Sequence, residues 1–216
     1  MRTGQPIIPI TLGLAFWWCS PALGLNPSLD IGQYGHDAWT VRSGFIKGNI
    51  YTIAQTPDGY LWLGSEFGVF RFDGVRSSPW QPPAGKLLPQ KNASCMLVTR
   101  DGTLWIGTFG GLATWNGAKL TRYPGLDGYS AIALAEDREG TVWAGFWSDV
   151  VHRHRLCAIR NGATQCYGDD GLFGDVVFSL YEDGAGNLWA GAESGLWRWK
   201  PGPPRRYATP PPRSGP

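Results

Sequence analysis

The chain has 216 residues and a formal net charge of +2, with its Lys and Arg scattered, which excludes a nucleic-acid binder driven by a basic patch. With 31 Gly, 17 Pro, 12 Trp and only 17% charged residues, the composition favours short strands and tight turns over a helical bundle. The many large apolar rings argue equally against low-complexity disorder, because they must be buried somewhere.

Residues 1–24 read as an export signal. Arg2 is the sole charge before Asp30, and Ile7 to Cys19 is apolar but for Thr11 and too short to span a bilayer. Ala22-Leu23-Gly24 fits a small-x-small cleavage site, with Leu25 as the new N-terminus. Bulky Trp precedes Cys19, so a lipoprotein site is not expected. No later stretch is long and apolar enough to predict a membrane span. The expected location is periplasmic or secreted.

After a lead-in over 25–49, one motif returns four times. Asp58-Gly59-Tyr60-Leu61-Trp62-Leu63-Gly64 recurs as Asp101-Gly102-Thr103-Leu104-Trp105-Ile106-Gly107, as Glu139-Gly140-Thr141-Val142-Trp143-Ala144-Gly145 and as Ala185-Gly186-Asn187-Leu188-Trp189-Ala190-Gly191. An apolar segment precedes each copy, and a second Gly turn follows at Gly68-Val69, Gly111-Leu112 and Gly195-Leu196. Then comes a hairpin signal: Asp73-Gly74, Asn116-Gly117 and Asn161-Gly162, with Pro201-Gly202 in the fourth copy. The third copy carries an insertion before its turn. Each unit therefore reads as four strands in about 40 residues, the pattern of a β-propeller blade. The Trp is expected to wedge between neighbouring blades. The Gly two positions later is expected to let the next sheet approach. The predicted fold is all-β: a partial propeller of four four-stranded blades at about 50–90, 91–128, 129–171 and 172–207, followed by a disordered Pro-rich tail over 208–216.

At these residues the sequence resembles the two-component regulator propeller repeat, found in periplasmic sensor regions of bacterial hybrid histidine kinases. Asp58–Gly64 with Phe67-Gly68-Val69-Phe70-Arg71-Phe72-Asp73-Gly74, and Asp101–Thr108 with Gly111-Leu112, carry the resemblance. The lead-in Tyr34-Gly35-His36-Asp37-Ala38-Trp39-Thr40-Val41 looks like the start of such sensors. The resemblance implies a ring of more than four blades, so that this chain is an open arc and an N-terminal portion of a sensor. It also implies that the lead-in strand completes the last blade. By resemblance the function is extracytoplasmic ligand sensing in two-component signal transduction, with no enzyme activity in this chain. Any kinase would lie in a further region. The alternative is a secreted carbohydrate-binding propeller acting alone, and a weaker one is a propeller lyase or hydrolase.

Cys157 and Cys166 flank the Asn161-Gly162 turn symmetrically. Counting outward, they fall at a non-hydrogen-bonded pair, where strands approach closely, so a disulfide is predicted. Cys95 sits in an apolar strand as a small core residue. His152 and His154 share a strand face, but Arg153 and Arg155 flank them and no third ligand follows, so no metal is expected. No cofactor and no nucleophile–base pairing are read from the residues. The carboxylates of Glu182-Asp183 precede a turn and read as solvated. The loops joining second to third strands hold the candidate ligand residues Glu66, Phe67, Phe109, Trp147, Asp149 and Glu193. Aromatics and carboxylates on one rim suit a sugar or other small polar molecule, since a ring face stacks and a carboxylate accepts hydroxyl hydrogen bonds. Candidate partners are thus a small molecule or oligosaccharide, a sensor kinase, or a second copy of the chain.

Overall fold

The computed structural model describes residues 30, 32, 38–40, 45–46, 48–148, 154–200 and 202–208. The signal segment, most of the lead-in strand, Asp149, His152 and the tail from 209 lie outside the described residues. The chain divides into two units, 1–38 and 39–216, and the strands all belong to the second.

Sixteen strands among the described residues form four antiparallel sheets, each a simple up-and-down meander. The first contains β1 (Ile50–Gln55), β2 (Leu61–Ser65), β3 (Gly68–Phe72) and β4 (Ser77–Pro79). The second has β5 (Cys95–Val98), β6 (Leu104–Thr108), β7 (Gly111–Trp115) and β8 (Leu120–Arg122). The third has β9 (Ser130–Glu136), β10 (Val142–Trp147), β11 (Leu156–Arg160) and β12 (Ala163–Tyr167). The fourth has β13 (Val177–Glu182), β14 (Leu188–Ala192), β15 (Gly195–Lys200) and β16 (Arg205–Tyr207). These are propeller blades. Contacts run from β1 to β5, from β5 to β9 and from β9 to β13, so each blade packs on the next. Among the described residues the fourth blade has no comparable contact with the first, and the blades form an open arc.

The repeated glycines fall on the seams. A β-carbon placed on Gly107 would lie 2.9 Å from the Ala131 Cβ, and one on Gly145 would lie 2.8 Å from the Val177 carbonyl oxygen. On Gly191 it would meet only its own sheet's Ser179 side chain, since among the described residues no blade packs on that side. Gly145→Ala is therefore expected to cost about 1–3 kcal/mol, because backbone must move to admit the methyl. Gly191→Ala, opposite a hydroxyl that can rotate, should cost clearly less. Urea denaturation of the two variants checks this.

The hairpin turns differ from one another. Asn161, at φ 51°, is the one described non-glycine residue with positive φ, and with Gly162 at 79° it makes the two-residue turn that the type I′ pattern demands. In the first two blades the signal misled. Asp73 and Asn116 instead accept two backbone N–H bonds each, from Val75 and Arg76 and from Ala118 and Lys119, and so build four-residue Asx-type turns. The tight third turn sets Cys157 directly opposite Cys166, and a disulfide joins them. It closes a loop of about ten residues, so reduction is expected to lower stability by up to about 2.7 kcal/mol. Denaturation with and without reductant, alongside the Cys157→Ala/Cys166→Ala variant, measures it. Cys95 is buried between the second blade and its neighbours, and burial pushes its thiol up to about 12.

Candidate ligand-binding face and the inter-blade seams

Each seam is built from a repeated set of side chains. The motif Trp on the second strand pairs with a ring at the end of the fourth strand: Trp62 with Trp80, Trp105 with Tyr123, Trp143 with Tyr167 and Trp189 with Tyr207. The next blade then offers a third ring from its third strand. Trp115 meets Trp80 at 5.5 Å between centroids, and Trp199 meets Tyr167 at 4.9 Å. On the first blade the equivalent ring, Phe72, is covered by Trp39 and Phe45 of the lead-in, at 5.1 and 5.2 Å. Such ring clusters contribute about 0.5–1.5 kcal/mol per pair beyond the area they bury.

Polar groups hold the turn side of the seams. Asp137 and Asp183 each stand six residues before the motif Trp and accept its indole N–H at 2.8 Å. In the first blade that place belongs to Thr56, whose hydroxyl accepts from Trp62 and donates to Asp58. Asp183 is held at about 2 by the Trp189 indole and Asn187. Arg100 reaches forward to Glu136, and Arg138 to Glu182, at 3.3 and 3.4 Å, and each arginine also donates to backbone carbonyls of the following blade. Glu182 is thus a structural ligand of the third seam, and Asp183 one of its own turn and motif Trp, not the solvated pair that their place before a turn suggests.

The opposite face carries the turns between second and third strands, where the predicted ligand residues lie. Glu66 and Glu193 occupy equivalent positions, and both are engaged by the chain. Glu66 accepts from the Asn49 amide at 3.0 Å, and Glu193 from the Asp175 amide at 2.7 Å. Each carboxylate so fastens the segment that leads into its own blade. The aromatics are open to solvent: Phe67, Phe109 and Trp147 are 49%, 41% and 44% exposed. Phe109 lies 6.4 Å from exposed Tyr51 across the first seam. Phe67 instead borders an apolar groove of about 450 Å³ with Trp80, Leu87, Leu88 and Pro89. The described candidates therefore share a face without forming one pocket, and Asp149 falls outside the described residues. Among the described residues no group of three or more His, Cys, Asp or Glu is placed to hold a metal ion.

The sequence pattern of a family described as two component regulator propeller matches residues 44–67, 87–110 and 171–194. These three segments are similar to two component regulator propeller repeats. The matched segments end at the turn after the second strand in blades one, two and four, the part that holds the motif Trp and its Gly. No curated protein matches the chain. Among solved structures, these repeats superpose on an extracellular domain attributed to a hybrid two component system of B. thetaiotaomicron, with a TM-score of 0.63 and 15% identity. The match covers 80% of this chain and 26% of that one. A second extracellular domain, attributed to a one component system of the same organism, gives a TM-score of 0.60 at 21% identity, covering 75% and 22%. Virginiamycin B lyase from Staphylococcus aureus gives 0.57 at 16% identity, covering 77% and 57%. The chain thus spans about a quarter of the two extracellular domains it matches, and at these identities the likeness concerns the fold.

Proposed function

We propose that this chain is the extracytoplasmic ligand-sensing propeller region of a bacterial two-component system, exported by residues 1–24 and without catalysis of its own. The observation that carries the reading is the repeat itself, matched in three blades to a family described by that role. The shared fold with extracellular domains of such systems supports it. The exposed rings Phe67, Phe109 and Trp147 on one face supply a stacking surface for a small molecule or oligosaccharide. The candidate carboxylates Glu66 and Glu193 are each occupied by a backbone amide, which weighs against acid–base work by them. Signal output would pass to a kinase elsewhere in the system. No helix among the described residues is long and apolar enough to cross a membrane.

The test is a thermal-shift screen of the purified chain against soluble di- to hexasaccharides, with Phe109→Ala and Trp147→Ala in parallel. A saturable rise in Tm that both variants weaken supports sensing at this face. Conversion of any added sugar, followed by mass spectrometry, would instead make the chain an enzyme. A flat response across the panel counts against an oligosaccharide ligand.

A further inference from the structure

The three seams are not alike, and the middle one is short of a ring. In the first seam Trp115 stands ten residues after the motif Trp of its blade, and in the third Trp199 does the same. Register identifies the equivalent residue of the third blade. Val142 pairs with Ile159 as Leu104 pairs with Trp115, so Ile159 takes the place of the indole. Trp105 and Tyr123 are stacked at 5.4 Å, as Trp143 and Tyr167 are in the third seam, but no third ring closes on them among the described residues. A groove of about 570 Å³ opens there, lined by Trp105, Thr114, Tyr123, Val142 and Ile159, with Arg100 and Asn161 among the residues at its polar rim. That volume is within the usual range of small-molecule pockets.

We propose that the seam between the second and third blades is a binding site for a small, neutral, planar aromatic molecule of indole size, whose ring completes the triad that Trp115 and Trp199 complete elsewhere. The choice of a neutral ligand follows from the rim. Arg100 is held by Glu136, Arg138 by Glu182 and Glu139 by Lys200, while Asp101 accepts from the Thr99 hydroxyl and the Thr103 amide. Each of those charges already has its partner, so half-buried Tyr123, backed by buried Trp105, is what remains to recognise a ligand. An aromatic guest gains from edge-on or tilted contact with Tyr123, as the protein's own indoles do with Trp80 and Tyr167. The site lies on the face of the Asp101-Gly102 and Asn161-Gly162 turns, opposite Phe67, Phe109 and Trp147, and does not depend on sensing at that other face.

Indole is the probe. Calorimetric titration of the full chain should show saturable binding with Kd at or below about 1 mM, reasonable for nine heavy atoms packed against an aromatic wall. Glucose at the same concentrations should give no heat. Ile159→Trp should fill the groove, keep a cooperative thermal transition and weaken indole binding at least tenfold. Val75→Ala, at an exposed turn of the first blade, should leave it unchanged. Should Ile159→Trp not fold, methyl resonances of Ile159 and Thr114 in the wild-type chain decide: both must shift on titration with indole. Absence of saturable binding, equal affinity in a folded Ile159→Trp variant, or unmoved methyls would each overturn the proposal.

Discussion

Asp137→Ala is expected to lower the stability of the chain by about 3–5 kcal/mol, the cost of breaking a buried charge pair by removing one partner. Only 1% of the Asp137 side chain is exposed, yet it receives four hydrogen bonds. The Glu139 and Thr141 amides donate to Oδ1, at 3.0 and 2.9 Å, and close the turn. The Trp143 indole and the Lys200 ammonium donate to Oδ2, at 2.8 and 2.7 Å. Lys200 comes from the fourth blade, so one carboxylate fixes its own turn, its motif Trp and the seam to the next blade. Alanine would leave a buried indole N–H and two amides without acceptors, and a half-buried ammonium with Glu139 as its one remaining close carboxylate. Against a typical total of about 5–15 kcal/mol, such a loss shows as a large drop in Tm or as a chain that fails to fold. Thr56→Ala is the comparison, because that seam has no ion pair at the equivalent place; a neutral bond lost there should cost about 1 kcal/mol. Equal midpoints in urea for the two variants would sink the argument.

The same groups set a pH dependence. Burial would raise the Asp137 pKa, but Lys200, Trp143 and Thr141 outweigh it and hold the carboxyl below its ordinary 3.8. Asp183 is held at about 2, and Asp58 and Asp101 are lowered by the threonine hydroxyls two residues before them. A depressed folded-state pKa means stability that is complete well above pH 3.8 and is lost as pH falls through the folded values. The Tm should therefore be flat from about pH 8 to pH 5 as regards these groups and fall steeply between about pH 4 and pH 2.

The blades were legible because the repeat advertises them. DGxLWxG puts a turn, an apolar strand and a seam glycine within seven residues, and the second strand of every blade begins within it. The Cys157 and Cys166 register was legible for a local reason: Asn161-Gly162 fixes every pair outward from itself. What stayed hidden lies between blades. Glu182 and Asp183 look like ordinary turn acids until the arc brings Arg138 to one and the folded turn brings Trp189 to the other. The signal was present as a spacing, Thr56, Thr99, Asp137 and Asp183 each six residues before the Trp, but an acceptor at that distance gains meaning only once the turn folds back over the indole. Ile159 was concealed differently. The insertion in the third copy moves it sixteen residues past Trp143, so alignment by count misses its equivalence to Trp115. On the opposite face, sequence cannot show that Glu66 and Glu193 are spent on backbone amides, because Asn49 and Asp175 lie 17 and 18 residues away along the chain.

Sedimentation of the purified chain is expected to show a concentration-dependent dimer. The fourth blade presents Trp189 and Tyr207 as the inner blades present Trp143 and Tyr167, but among the described residues no blade covers them. Tyr181, 65% exposed, lines a shallow apolar groove of about 400 Å³ with Trp189, Gly191 and Leu196. This face is shaped to receive a sheet, since Gly191 stands where Gly107 and Gly145 admit their neighbours. The other end of the arc is different. Trp39, Phe45 and Ile46 cover Leu63 and Phe72, so the lead-in fills much of that side of the first blade and leaves Ile53 exposed. Head-to-tail growth needs two complementary ends, and one of them is largely filled. The surface left over can then pair with its own copy about a two-fold axis, and an isologous contact closes at two subunits. Tyr181→Lys with Leu196→Lys should place charge on both sides of that contact and shift the dissociation constant at least tenfold toward monomer. Lysine substitution at Leu87, more exposed than either and outside this face, should not. A monodisperse monomer at about 100 μM, or fibres in place of a dimer, would remove the idea that the fourth blade's face is the exposed one.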